Sequence, residues 1–158
     1  MTTYGSSFTK RLTLVIFVLM ALGGLLLLAQ GSARRGPIAF IVVWFAALGW
    51  NAYWHLLRIA HRLDYSETDG SLTWRAPLRS VVISMADVVA FRPFKLSSNI
   101  EVIETRDGRR YQVWISKGFR AFTEILTQRH PGISVRIGWQ GWLVERMPGP
   151  SLLRRPRS

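Results

Sequence analysis

The sequence predicts a membrane α-helical hairpin followed by a mostly-β, α+β domain of short antiparallel strands capped by a C-terminal helix. Three observations predict it. Two apolar blocks without a charge fill residues 12–33 and 36–57. From residue 63 the apolar residues alternate in short runs broken by turn residues. After Ser116 the period lengthens to that of an amphipathic helix. The chain divides accordingly into an N-terminal tail (1–11), a two-helix transmembrane hairpin (12–57), a strand-rich domain (58–132), and an extra edge strand with a basic, partly disordered tail (133–158).

Each apolar block, at a rise of about 1.5 Å per residue, reaches roughly 33 Å, slightly more than the hydrocarbon core of a bilayer. Only "RRG" and its neighbours separate them, which predicts an antiparallel pair. Pro37 suits a first helical turn, where a missing N–H costs nothing. Trp50, Tyr53 and Trp54 gather at the far end of the second block, as rings do at a membrane–water interface. Ala21, Gly23, Gly24, Ala46, Ala47 and Gly49 either let the two backbones approach closely or are the small residues common in any span. The first block has an alternative reading as a signal peptide, with basic Lys10 and Arg11 before it and small Gly31 and Ala33 at its end. It is longer than the usual apolar region of about 7–15 residues, and a second block follows at once. Lys10, Arg11, Arg58 and Arg62 flank the outer ends, against Arg34 and Arg35 in the link. That imbalance predicts a multi-pass protein of the inner (plasma) membrane with both termini cytoplasmic.

The formal net charge is +12, and 18 of the 21 basic residues are arginine. The excess is even: +4 over residues 1–57, +4 over 58–130 and +4 over 131–158, counted from the sequence. A nucleic-acid module concentrates its charge on one element, so no nucleic-acid partner is expected. Cysteine is absent. Disulfides, thiolate metal sites and a cysteine nucleophile are thereby excluded.

Within the strand-rich domain, "TDGS" (residues 68–71) carries an Asp-Gly hairpin signal. "SLTWR" places Leu72 and Trp74 on one face, and Pro77 ends that strand or marks an edge. "RSVVIS" directs Val81 and Ile83 one way. "DVVAFRPF" is an apolar strand closed by Pro93, with Asp87 as the turn residue entering it. "NIEVIET" sets Ile100 and Val102 opposite Glu101 and Ile103. "RDGRR" is a second Asp-Gly turn, and "YQVWI" sets Tyr111, Val113 and Ile115 against Gln112 and Trp114. Ser116 is the N-cap the pattern offers for a helix with Phe119, Phe122 and Leu126 on one stripe and Ile125 adjacent, stopped by Pro131 and Gly132.

Two apolar blocks followed by "DYSETDGSLTWR", "ISMADVVAFRPF", "IEVIETRDGRRYQVWI" and "FRAFTEILTQRHPG" resemble the bacterial membrane-anchored pleckstrin-homology-like (PH-like) proteins. The likeness covers roughly residues 12–132 and rests on turn and core residues, including Phe122 and Leu126 in the closing helix. It implies a seven-stranded, partly open barrel capped by the C-terminal helix, and no particular ligand. The phosphoinositide-binding basic strand pair of the eukaryotic relatives has no residue-by-residue counterpart, so that activity is not carried over.

No catalytic constellation is visible. His55, His61 and His130 lack metal-ligand spacing. Asp64, Asp87, Glu101 and Glu124 are isolated from any nucleophile–base pair, and no Gly-rich loop is placed to cradle a phosphate. The chain therefore reads as no enzyme, with no metal and no cofactor. Arg92, Lys95, Arg106, Arg109 and Arg110 lie near strand ends and turns. They are either a solvated rim or a contact patch for anionic lipid headgroups or a protein partner, each charge worth about 1 kcal/mol near an anionic surface. In the tail, "ISVRI" reads as the extra strand. Trp139, Trp142 and Leu143 beside arginines are either docked aromatics of a disordered end or a lipid-surface contact. The functional expectation is a membrane-anchored binding or scaffold module presenting its domain at the cytoplasmic face. The alternative is an accessory subunit of a larger envelope or transport complex, docked through the helical hairpin.

Overall fold

The computed structural model describes residues 1–5, 7–29, 38–95, 99–146, 151 and 153–154. Strand β1 (Thr2–Gly5) leads into helix α1 (Ser7–Ala29), and α2 (Ile38–Tyr53) runs into a π-helical turn, Trp54–Arg58. The strand domain follows as β2 (Ile59–Ala60), β3 (Arg62–Ser66), β4 (Ser71–Arg75), β5 (Ser80–Ser84), β6 (Val88–Pro93), β7 (Ile100–Thr105) and β8 (Arg110–Trp114). The chain closes with α3 (Phe119–Arg129), β9 (Ser134–Val135), α4 (Trp139–Arg146) and β10 (Leu153–Arg154).

Among the described residues, two sheets of five strands each carry the fold, in the orders β10-β1-β3-β4-β5 and β2-β8-β7-β6-β9. The first is antiparallel throughout. In the second, β2 and β9 run parallel to their neighbours β8 and β6. The chain passes from one sheet to the other at His61, between β2 and β3. The inner faces meet in one core: Leu63, Leu72 and Trp74 from the first sheet, Phe91, Ile103 and Val113 from the second, and Phe119, Phe122 and Leu126 from α3. Alternation explains the side-chain assignment, because successive residues of a strand point to opposite faces. The Asp-Gly turns occur where they are expected, with Gly70 and Gly108 at φ +56° and +79°, a region that a residue with a Cβ enters at a cost.

Two polar ties lock the sheets. Trp74 Nε1–H donates to the Gln112 carbonyl at 2.8 Å, crossing from β4 to β8. The buried Tyr4 hydroxyl, on β1, accepts the Ser116 N–H at 2.6 Å and lies 2.8 Å from Ser116 Oγ. Ser116 is thus held by Tyr4 and does not cap α3. The N-cap is Gly118, at φ +95° and without a side chain to offer. Its place is taken from afar by Glu145 of α4, whose Oε1 accepts the N–H groups of Gly118 and Arg120 at 2.9 and 3.1 Å. A carboxylate there satisfies open amides and meets the positive end of the helix dipole. A side chain at 118 would strike Ser151 and Leu153, so glycine admits the C-terminal segment as well as the turn.

Two expectations are corrected here. The first concerns the membrane hairpin. Among the described residues, no helix is long and apolar enough to cross a membrane. The α-helical part of the second block is 16 residues. At about 1.5 Å per residue it reaches roughly 24 Å, short of a hydrocarbon core of about 30 Å. It then changes to π geometry and enters β2 directly. Helix α1 starts at Ser7 and includes Lys10 and Arg11 near its beginning. The charge-free run in the sequence therefore counts residues that α-helical geometry does not. The transmembrane hairpin over 12–57 and the multi-pass inner-membrane localisation with cytoplasmic termini fall with it. The link at Arg34 and Arg35, on which the orientation rests, lies outside the described residues.

The second correction concerns the barrel. In place of seven strands closing a PH-like barrel, the described residues form two five-stranded sheets, the first extended by the short strands β1 and β10. β1 and β10 pair with each other and, through β1, with β3. Their sequences, "TTYG" and "LR", carry no alternation that would announce a strand, so only the tertiary pairing defines them.

Candidate functional site

The five basic residues singled out in the sequence do not form one cluster. Arg106, Arg109 and Arg110 stand at the β7–β8 turn, all exposed. Arg92 lies farther along, opposite Val102 on the β6–β7 ladder. It joins the group through Glu104: Arg92 Nε and Arg110 Nε each lie 3.2 Å from one of the Glu104 carboxylate oxygens. Lys95 follows Pro93, at the opposite end of the β6–β7 hairpin from Arg106, because β7 runs back along β6.

The tip itself is built by Asp107. Its Oδ1 accepts from Thr105 Oγ1 at 2.5 Å and from the Arg109 N–H at 3.2 Å, and Arg109 Nε lies 3.0 Å from Oδ2. The Thr105 hydroxyl, with the Arg109 amide behind it, holds the Asp107 carboxyl below its ordinary pKa. Two carboxylates thus sit among four arginines. The patch is basic but half neutralised, and solvent and salt screen its pairs.

Three buried polar groups escape sequence reasoning. Asp64 on β3 is fully enclosed between Arg62 and Arg75, with Nε–carboxylate distances of 2.8 Å to each. The Arg75 contact is close enough for an ion pair but lacks hydrogen-bond alignment, so Oδ2 has no hydrogen-bond partner among the described residues. Glu101 on β7 faces inward with Ile103. Its Oε1 accepts the Gly138 N–H at 3.0 Å, and Oε2 has no partner among the described residues. Burial pushes its pKa up to about 7, against a lowering by the Gly138 amide. His61, at the bend between the sheets, is buried beside the Trp114 ring, and burial lowers its pKa. Asp64 had a sequence signal, since Arg62 lies two residues away on the same face of the strand. Glu101 had a weaker one: alternation sets it with inward-facing Ile103.

A groove of about 360 Å³ runs between α3 and the β9–α4 segment, lined by Thr123, Thr127, Val135, Ile137 and Trp139 among others. The hydroxyls of Thr123 and Thr127 are spent on their own helix. Among the described residues, no group of three or more His, Asp or Glu side chains is placed to hold a metal ion.

The helix pair exposes many apolar side chains. Val18, Leu19, Leu22 and Leu26 of α1 and Val42 and Val43 of α2 are all exposed, Val43 to 64%. Phe45, Ala46, Gly49, Trp50, Tyr53, Trp54 and Arg58 line a shallow groove of about 570 Å³ along α2 and its π-helical end. Gly49 opens that groove, since a Cβ there would meet nothing within 4 Å. Trp50, Tyr53 and Trp54 form a cluster with ring centroids 6.0–6.3 Å apart, Trp54 meeting the other two edge-on, and the Arg58 guanidinium sits 5.9 Å from the Trp54 ring centroid.

No family model, curated protein or solved structure matches this chain.

Proposed function

We propose that the protein is a non-catalytic binding and scaffolding module that docks into a larger assembly through α1 and α2. The partner contributes an amphipathic helix whose apolar face seats in the groove along α2, and the two-sheet domain is presented outward. The observation that supports this reading is the apolar groove opened at Gly49. Contiguous exposed apolar surface of this kind marks a contact site on a folded protein. A groove floored by Ala46 and Gly49 and walled by Phe45 and Trp50 has the form that receives an amphipathic helix.

Gly49→Leu tests it. The new side chain enters open space, so the free chain keeps its fold, and a helix interior gains from losing a glycine by about 0.5–1 kcal/mol. Crosslinking the full-length protein in its native cells is expected to place the wild type in a complex and to leave Gly49→Leu alone. Equal recovery of the complex by both would show that the groove is not the docking element.

A second reading, supported by the exposure of Arg106, Arg109 and Arg110 at one tip, is contact with anionic lipid headgroups. Arg109→Ala combined with Arg110→Ala is then expected to weaken sedimentation with phosphatidylserine vesicles by about 1–2 kcal/mol at low salt, with no difference at high salt. The tip is exposed and tolerant of change, so the domain stays folded. Unchanged sedimentation at low salt would remove this reading and leave the groove reading untouched.

A further inference from the structure

Among the described residues, the four sheet edges are unequal. β2, β9 and β10 are strands of two residues each, too short to template another chain. β5 has five residues, "SVVIS", with no charge, no proline and no bulge in its pairing to β4. Long edges of that kind invite a further strand, and natural folds blunt them with the very features absent here.

The direction of the backbone groups can be read from two hydrogen bonds. Met85 N–H bonds to the Gly70 carbonyl at 2.9 Å, and Ala76 N–H to the Arg79 carbonyl at 2.8 Å. Both lie on the β4–β5 register, which pairs Leu72 with Ile83 and Trp74 with Val81. Hydrogen-bonded and non-hydrogen-bonded pairs alternate along such a ladder. Arg79, Val81, Ile83 and Met85 therefore spend their backbone groups on β4. Ser80, Val82 and Ser84 direct theirs away from the sheet. Their side chains are exposed as well, Val82 to 68%.

We infer that β5 pairs antiparallel with β5 of a second copy of this chain, about a twofold axis at Val82, joining the two first sheets into one continuous sheet. The segment is close to a palindrome about Val82. In this register Val82 faces the partner subunit's Val82, Ser80 faces the partner subunit's Ser84, and Val81 faces the partner subunit's Ile83. The residues that oppose each other as hydrogen-bonded pairs are the same ones whose backbone groups point outward. A shift by one residue would set outward groups against inward ones and lose the ladder. Like charges are not opposed either. Arg79 falls opposite the partner subunit's Met85 and diagonal to the partner subunit's Asp87, and both Arg79 and Asp87 are exposed. A twofold interface requires this self-complementarity. A strand from an unrelated protein does not.

The natural chain has no cysteine, so single cysteines report the register without ambiguity. Full-length Val82→Cys, mildly oxidised in solution, is expected to form a disulfide-linked dimer, because opposed residues lie within bridging distance. Ser80→Cys alone and Ser84→Cys alone are expected to stay single, and an equal mixture of the two to crosslink. Val82→Pro removes an outward N–H that β4 does not use. It is expected to keep the far-ultraviolet spectrum and to halve the protein mass measured by light scattering. Absence of a Val82→Cys dimer, or an unchanged mass for Val82→Pro, overturns the proposal. A monomeric wild type overturns it too, and leaves the edge to a strand of a different protein. Crosslinking at β5 is independent of Gly49, so failure here does not bear on docking through α2.

Discussion

Replacing Phe122 by alanine is expected to destabilise the domain by about 3–5 kcal/mol, the range for deleting a buried phenylalanine ring, and so to consume much of a stability of about 5–15 kcal/mol. Phe122 is completely buried. It occupies the seam where α3 covers both sheets, with the Tyr4 ring 5.7 Å away. Its neighbour Phe119 touches Tyr4 of the first sheet at 5.2 Å and Phe91 of the second at 6.3 Å. Backbone ties hold these elements in place on several sides, so the cavity cannot collapse cheaply. Arg120→Ala is the matched control. Arg120 is exposed, and its side chain is spent on an i,i+4 pair with Glu124. Its loss is expected to cost under about 0.5 kcal/mol. Urea denaturation of the full chain followed by near-ultraviolet circular dichroism reads both. Similar midpoints for the two variants would mean that the helix turns a different face to the core.

The stripe of α3 was legible in the sequence because it is a local pattern: Phe119, Phe122 and Leu126 are buried together. The turns at Gly70 and Gly108 were legible for the same reason, since a left-handed backbone in a tight turn selects glycine within a few residues of sequence. The pairing of Leu72 with Trp74, and of Val113 with Ile115, is likewise a matter of alternation. What was not legible depends on distance along the chain. Ser116 reads as a cap until Tyr4, 112 residues away, takes its backbone and its hydroxyl. Glu145 caps α3 from 25 residues further along the chain than Arg120. The apolar blocks reveal composition but not where α-helical geometry stops, and Trp54–Arg58 continues the apolar run in a different geometry. The candidate site divides in the same way. That Arg106, Arg109 and Arg110 share a tip follows from the turn. That Lys95 stands at the other end, and that Glu104 joins Arg92 to Arg110, requires the β6–β7–β8 register. The free edge of β5 is a property of what fails to pair with it, and no residue of "SVVIS" announces that.

Glu101 sets the second large effect, a dependence of stability on pH. An acid whose folded pKa is raised binds its proton more tightly in the fold than in the unfolded chain. Its contribution is therefore fully present below the unfolded value and is lost as pH rises through the folded one. For Glu101 that window runs from 4.5 to about 7. Above it the fold must hold a buried carboxylate with one oxygen bonded to Gly138 and the other without a partner among the described residues. The loss across the window is expected to be about 2 kcal/mol, smaller than the full shift implies at 1.36 kcal/mol per pKa unit, since protein relaxation and water screen the charge. The histidines act with the opposite sign. Burial lowers the pKa of His55 and of His61, so each costs stability as pH falls below 6.5. The wild-type profile sums these trends, and the difference between wild type and Glu101→Gln isolates the carboxyl. The glutamine keeps an oxygen for the Gly138 N–H and carries no charge. Glu101→Gln is expected to be close to wild type at pH 4.5 and more stable than wild type by about 2 kcal/mol at pH 8. Guanidinium denaturation at pH 4.5, 6, 7 and 8 measures it. A constant difference between the two chains across that range would show that Glu101 does not change its charge on the way, and that β7 holds its carboxyl in one protonation state throughout.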